Sequence, residues 1–478
     1  MILGRERTEK SRATLFAESA PSKFPSGWSL LRTANPRLEG VHGCRLGIDI
    51  VCAFSTLVIH PMSMTHPISV ADGAISMSST AAMHEAQPVA LHESVQDLLT
   101  DEKIGPRDGA GKTVVVAMSG GVDSAVTALL MRERGYRVVG MNLRLFSPDD
   151  EDHRANPCCG IPAMDDARST CATIGVPFYA VNMEIEFGGA VIQKFVDEYA
   201  AGRTPNPCLE CNRHVKFRHL VQRAKLLGAD YLATGHYARV EKGDEPGDSY
   251  RLFRALDSGK DQSYVLYTLD QEQLAYIQFP LGRLTKSDVR RLARAYGLPV
   301  ADKAESQEIC FVGNRSYADF VAERRPDVTV PGDIVTTDGL VVGAHRGLVH
   351  HTVGQRRGMG IAAAKPYFVL RLDTSANKLV VGSRQEAQVQ RLHIEDVAMT
   401  AGTWEQSTFL ADAVVRYRGM PNEASIVLES ATNRTANVTF VGERNPIASP
   451  GQAVVFYRGD EVLGGGTIHR VERNSDVA

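Results

Sequence analysis

The stretch TVVVAMSGGVDSAVTALLMRERG, residues 113–135, constrains the fold more than any other part of this chain. Residues 113–118 form an unbroken apolar run, the pattern of a strand buried on both faces. Two glycines follow, then an amphipathic helical pattern closed by Gly135. The same alternation continues. Residues 136–143 and 176–183 read as strands, 165–175 as a helix, 186–201 and 213–227 as helical, and 230–237 as another strand. Strands alternating with helices imply an α/β fold with a doubly wound parallel sheet. In such sheets ligands lie beyond the C-terminal ends of the strands. Order is expected to begin near Lys112. After about residue 325 short alternating runs separated by turn residues take over, which predicts a small β-rich central domain and then a C-terminal β-barrel. The expected divisions are 1–110, 111–324, 325–388 and 389–478, and no internal repeat of 20–50 residues is visible.

The loop between the first strand and helix has the chemistry of a phosphate cradle. Gly120 and Gly121 allow a tight turn and a close approach of backbone to ligand. The helix that follows offers unpaired N–H groups and the positive end of its dipole. Ser119 and Ser124 add hydroxyls, and Asp123 is placed to help hold Mg²⁺ beside a pyrophosphate. A plain capped turn would explain Gly-Gly alone, but not the whole string SGGVDS in this setting. GPRDGAGKT (105–113) imitates a different phosphate loop. Its two glycines are separated by five residues instead of four, and it precedes the strand, so it is rejected.

A chain of 478 residues is expected to hold two to four domains at roughly 100–200 residues each. A net charge of −3 excludes a uniformly basic nucleic-acid binder, so any RNA contact must be local. In the helix expected over 285–296, Val289, Leu292, Ala293 and Tyr296 share one face. Lys286, Arg290, Arg291 and Arg294 lie largely elsewhere, on a face that is either solvated or set against an RNA backbone. The apolar run at 46–59 contains Asp49 and is shorter than the about 20 residues a membrane span needs. The first 80 or so residues lack periodicity. They read as disordered, or as upstream sequence with a start at Met62, Met64, Met77 or Met83, in preference to a transit peptide. A cytoplasmic location is expected.

Eight cysteines in so long a chain are not a disulfide scaffold; they suit redox or sulfur chemistry in a reducing compartment. TPNPCLECN (204–212) carries Cys208 and Cys211 as a CxxC. It has no second pair at zinc-finger spacing and is not where a thioredoxin-like pair would lie. ESQEICF (305–311) brings Cys310. Two distant loop thiols and a nucleotide loop fit a reaction in which an activated carbonyl oxygen leaves as AMP while sulfur attacks the same carbon.

SGGVDS resembles the loop of the N-type ATP pyrophosphatases. With TPNPCLECN followed by VKF, then ATGHY, KDQSY (260–264), SQEICF and HTVGQRRGMGI (351–361), in that order, the chain from about Lys112 onward resembles the bacterial and mitochondrial tRNA-specific 2-thiouridylases. The resemblance implies an adenine nucleotide alpha hydrolase-like fold for the sheet. It implies that Ala117, Met118, Ser119, Gly120, Gly121, Val122, Asp123 and Ser124 hold ATP, with Met141 and Gly235 also at the nucleotide. It makes Cys310 the carrier of a persulfide received from a sulfur-relay donor protein. Cys211 is the second catalytic thiol, assisting sulfur release and pairing with Cys310 as a disulfide, with Arg213 as a candidate helper for the thiolate. Asn206, Pro207 and Cys208 would lie at the target base. His236, Lys260, Asp261, Gln262, Arg416, Tyr417 and Gln452 would contact tRNA. The HTVGQRRGMG segment has the glycine content of a mobile loop and two arginines for phosphates.

Some family members carry Asp where this chain has Cys208, and this chain also holds Cys158–Cys159. If Cys208, Cys211 and Cys310 converge, three thiolates are a setting for an iron–sulfur cluster, or for zinc. The reading without a metal is preferred, because the resemblance already gives two thiols work. Two rivals remain: another adenylating enzyme with the same loop, which needs no such thiols, and a non-catalytic tRNA or iron–sulfur binder, which needs no ATP loop.

Overall fold

The computed structural model describes residues 93–146, 160–243, 248–305, 309–313, 315–402, 407–430, 432, 434–442 and 445–473. Cys158 and Cys159, the candidate starts and residues 306–308 of the SQEICF motif lie outside them.

Strand β1 (Thr113–Ala117) is the centre of a five-stranded sheet. The others are β2 (Arg137–Arg144), β3 (Phe178–Asn182), β4 (Tyr231–Ala233) and β7 (Ile277–Gln278), in the order β3-β2-β1-β4-β7. All four pairings are parallel. Alternation of side chains along β1 divides the core. Val114 and Val116 pack with the helices Val122–Glu133, Ile161–Thr173 and Lys286–Ala295, whereas Val115 faces the helix Phe217–Leu226. The sheet is therefore covered on both faces, as its apolar run requires.

Two local readings need correction. The strand expected over 230–237 ends at Ala233, and Thr234–Tyr237 form a loop instead. Gly235 explains why: a side chain there would stand 2.9 Å from the carbonyl carbon of Asp123 and 3.0 Å from Ser124 N, so this loop lies directly on the start of the first helix. Order begins before Lys112. Val95, Leu98, Leu99 and Ile104 are at most 5% exposed and belong to the same core as β1. The segment at 351–361 is a loop, as expected, and is anchored at Gly354 and Gln355. Gly354 N donates to Val369 O, Val369 N donates to Gln355 O, and Gly354 lies against Ile447.

The central sheet contains β8 (Gly332–Thr336), β9 (Val341–His345), β10 (Phe368–Asp373) and β11 (Lys378–Gly382), in the order β10-β11-β8-β9. The C-terminal strands are β12 (Val389–Met399), β13 (Thr408–Val414), β14 (Asn422–Ser430), β15 (Thr435–Phe440), β16 (Ala453–Arg458) and β17 (Glu461–Arg473). Pairing of β12 with both β15 and β17 closes them into a six-stranded barrel.

One connection is invisible in linear sequence. The hairpin of β5 (Ala238–Lys242) and β6 (Tyr250–Arg254) leaves the parallel-sheet region and pairs with β17, Leu252 opposite Val462 and Phe253 opposite Glu461. The core follows it: Tyr264 and Tyr267 pack in one cluster with Val414, Val455, Tyr457 and Val462 of the barrel.

Candidate functional site

β1 stops at Ala117, Met118 N donates to Met141 O, and Gly120 turns the chain at φ +72°. A side chain at Gly120 would meet Ala163 O at 2.0 Å, so this glycine is demanded by the neighbouring helix as well as by its φ. Gly121 differs: it is extended at φ −102°, and the nearest atom to a side chain there would be Ser119 Oγ at 3.6 Å. Ser124 Oγ donates to Gly121 O (2.9 Å) and accepts from Ser119 N (3.2 Å), so it shapes the loop, while Ser119 is exposed. Val122, the first helical residue, is buried. Met141 is buried under the loop, and Asn142 Nδ2 donates to Met118 O.

Charged residues that the sequence did not single out for this role surround the loop. Lys286 Nζ lies 2.7 and 2.8 Å from the two carboxylate oxygens of Asp123, and Tyr237 OH donates to Asp123 Oδ1 at 2.8 Å. Lys303 Nζ donates to Gly120 O (2.9 Å) and Asp166 (2.6 Å). Glu305 joins Lys286 (2.9 Å) and Lys260 (2.6 Å). Burial opposes its ionisation, but hydrogen bonds and charge from Lys260 and Lys286 hold its carboxyl down to about 2. On the helix Lys286–Ala295, Lys286 and Arg290 turn inward, whereas Arg291 and Arg294 make their ion pairs at the exposed surface. Arg290 binds the carbonyls of Ala301 and Lys303, Arg291 pairs with Asp97, and Arg294 pairs with Asp302.

The thiols gather over the other half of the sheet. Asn206 caps a short helix, its Oδ1 accepting from Leu209 N, with Pro207 at the first turn. A π-helical turn, Cys211–Lys216, follows before regular helix resumes at Phe217. Such turns place residues five apart one above the other and are frequent at functional sites. Lys216 closes this turn, and its charge acts on both Cys211 and Cys208. Cys211 is 6% exposed and packs on a cluster with Leu143, Val181, Phe187 and Phe311; Cys310 packs against the same cluster. Both are thiols. Burial pushes the Cys211 thiol up to about 12; Lys216 opposes this, and Cys310 and Cys208 add to it. Cys208 reaches solvent, yet desolvation of its sulfur also raises it, again against Lys216 and with Cys310. The cation facing the thiols is therefore Lys216. Arg213, the sequence candidate, is turned to Asp396 (3.2 Å) and Tyr267 OH (3.5 Å). The three thiols are neighbours, but no group of three or more His, Cys, Asp or Glu among the described residues is placed as a metal donor set.

The residues expected at tRNA fall into two groups. Arg416 and Tyr417 are exposed on a barrel loop, and Arg418 of that loop donates to Gly259 O at 2.8 Å, beside Lys260. Asp261 lies in the same segment but is 9% exposed. Its oxygens accept from Arg254, Ala255 N, Ser263 N and Ser263 Oγ, so it holds the segment in shape. Gln262 Oε1 accepts from Tyr237 N. The second group surrounds the CxxC loop. Gln452 Nε2 donates to Thr204 O (2.9 Å), and Thr204 N donates to Pro450 O (2.8 Å), which ties the barrel to the residues before Asn206, Pro207 and Cys208. His236, against Phe217 and bonded to Thr234, is lowered to about 3 by burial and by Lys216. It is a neutral imidazole at pH 7.

The three regions match family models in succession. These are the tRNA methyl transferase HUP domain over 112–314, the tRNA methyl transferase PRC-barrel domain over 318–383 and the Aminomethyltransferase beta-barrel domain over 389–468. The tRNA-specific 2-thiouridylase MnmA of Geobacter metallireducens is 48% identical over 364 residues, 75% of this chain and 97% of that protein. The protein of the same name from Carboxydothermus hydrogenoformans is 46% identical over 361 residues, 75% of this chain and 98% of its own. Among solved structures, the U34-tRNA thiolase NcsA of Methanococcus maripaludis superposes on 49% of this chain and 70% of its own, with 17% identity and a TM-score of 0.29, too remote to bear on the site. With identity of this order over nearly the whole length of the two thiouridylases, the chain belongs to the tRNA-specific 2-thiouridylase family.

Proposed function

We propose that this protein uses ATP to exchange an oxygen of a tRNA uridine for sulfur. The observation that carries the reading is the convergence of Cys211 and Cys310 on one cluster that includes Leu143 and Val181, at the C-terminal ends of β2 and β3. The adjacent strand β1 feeds the phosphate loop at the same end of the sheet. That end is where an α/β sheet receives its ligands.

In this account the loop from Ala117 to Ser124, with Gly235 above it and Met141 beneath, seats ATP with its phosphates at the start of the helix Val122–Glu133. Asp123 is the loop carboxylate that would take Mg²⁺, once Lys286 gives up its share of the two oxygens. The C2 oxygen of the wobble uridine attacks the α-phosphorus, and pyrophosphate leaves. The outer sulfur of a persulfide on Cys310 then attacks C2, and AMP departs with the oxygen. Cys211, as thiolate, attacks the inner sulfur of Cys310. A Cys211–Cys310 disulfide forms, and 2-thiouridine is released. A thiol reductant reopens the disulfide, and a persulfide donor protein reloads Cys310. Lys216 lowers the cost of the Cys211 thiolate. In this reading Arg416, Tyr417, Lys260, neutral His236 and Gln452 contact the tRNA, with Asn206, Pro207 and Cys208 at the target base. No helix among the described residues is long and apolar enough to cross a membrane.

The reading is checked by incubating the protein with ATP and unmodified tRNA and measuring AMP and pyrophosphate. Release that requires tRNA supports it. Equal release without tRNA, or with an amino acid or carboxylate in its place, points to another adenylating enzyme.

A further inference from the structure

Four charged side chains form one alternating chain across the site: Lys260, Glu305, Lys286 and Asp123. The contacts are 2.6, 2.9 and 2.7 Å in that order. One end lies in the KDQ segment, beside the exposed barrel loop of Arg416 and Tyr417. The other end is the carboxylate of the phosphate loop. Glu305, second in the chain, stands five residues before Cys310 in the sequence. The side chains of Lys286, Glu305 and Lys260 are 12%, 25% and 27% exposed, so their charges are screened less than those of a surface pair. Arg290 also faces Glu305, at 4.0 Å, farther than either lysine, while its Nη1 and Nη2 donate to the carbonyls of Ala301 and Lys303.

We propose that Glu305 and Lys286 are a coupling element by which tRNA engaged at Lys260 prepares Asp123 of the phosphate loop to receive ATP. The inference rests on the function proposed above. As the chain stands, Lys286 divides its charge between two carboxylates, and Glu305 divides its own between two lysines. A tRNA phosphate that draws Lys260 away leaves Lys286 as the near partner of Glu305, with Arg290 farther off at 4.0 Å. The ammonium then moves toward Glu305, and Asp123 keeps only the Tyr237 hydroxyl. The freed carboxylate is available to the cation that accompanies ATP. Lys286 is suited to such a shift. Thr285 and Asp288 form a capping box that fixes the helix start, Lys286 N donates to Asp257, and only the long side chain moves. Coupling of this kind is reciprocal, so ATP must tighten tRNA binding by the same factor.

The test is the affinity of the full chain for α,β-methylene-ATP with Mg²⁺, by equilibrium dialysis, with and without saturating unmodified tRNA transcript. tRNA is expected to tighten the analogue on the order of 10-fold, and filter binding is expected to show the analogue tightening tRNA equally. In Glu305→Gln the neutral amide cannot draw Lys286, so the ratio falls toward one while the analogue still binds alone; Lys286→Arg keeps a ratio above one. A wild-type ratio of one overturns the proposal without any variant. A Glu305→Gln protein of unchanged melting temperature that keeps the wild-type ratio overturns it too. Loss of thiolation with an intact ratio would instead count against the proposed reaction and leave the coupling standing.

Discussion

At the scale of single residues, burial favours the protonated form of Cys208 and Cys211, and one cation, Lys216, is set against it. Cys211 titrates near 12 because it is buried, whereas an ordinary thiol titrates near 9.0. The raised value means that its contribution to stability is present below pH 9 and is lost as pH rises toward 12. It also means that the reactive thiolate is scarce at neutral pH and grows about tenfold per pH unit through that range. Lys216→Met removes the opposing charge. Thiolation is expected to fall on the order of 10-fold at pH 7, if the lysine lowers the thiol by about one pKa unit. The variant's pH profile should run parallel below the wild type, and Lys216→Arg should recover most of the loss. Wild-type rates for Lys216→Met across pH 7–9 would remove the lysine from the chemistry. The cysteines themselves were legible as motifs. The choice of Lys216 over Arg213 was not, because it depends on a π turn that adds a residue to the helical repeat and changes which side chains stack.

At the scale of elements, the strand–loop–helix over residues 113–133 was readable because burial on both faces leaves an unmistakable run, and because two glycines interrupt it at the strand end. What could not be read is that the glycines do different things. Gly120 has a positive φ and no room for a side chain, whereas Gly121 has an ordinary φ and open space. Gly120→Ala is therefore expected to destabilise the fold by about 1–3 kcal/mol from backbone strain alone, with the contact to Ala163 adding to it. Gly121→Ala should change stability by less than about 1 kcal/mol, yet weaken ATP binding if that open space is where phosphates sit. Urea unfolding and nucleotide titration of the pair separate the two roles; equal denaturation midpoints would contradict the assignment. The end of β4 was misread for a related reason. The stretch 230–237 reads as one strand from an apolar start at Tyr231 to Tyr237, but Gly235 meets the helix start and the chain there is a loop. The ion-pair chain through Lys286 escaped notice because a basic helical face looks the same in sequence whether its partners are solvent, RNA or distant carboxylates.

At the scale of the whole molecule, the barrel and the nucleotide-binding region are joined by shared structure. The hairpin β5–β6 extends the barrel sheet, one core spans both, and Gln452 fastens the loop before Cys208. The alternating patterns after residue 325 announced β structure, but pairing across some two hundred residues leaves no mark in a linear pattern. The N-terminal side shows the opposite error. Val95, Leu98 and Leu99 already have helical spacing, and all three are buried in the core of the parallel sheet. A chain beginning after residue 100 should lose stability on the order of 5 kcal/mol relative to one beginning at Glu93, from three buried apolar side chains. Calorimetry of the two would show the difference, and equal melting temperatures would mean that this segment adds nothing.

The central claim, that ATP and two converging thiols place sulfur on tRNA, is tested most directly by mass spectrometry of nucleosides from tRNA incubated with ATP and a persulfide donor. The account predicts 2-thiouridine with the intact protein. It predicts none with Cys211→Ser or Cys310→Ser, each as defective as the double variant because the two act as a unit, while both single variants still bind ATP. Normal 2-thiouridine from either serine variant, or none from the intact protein while it consumes ATP on tRNA, would contradict it.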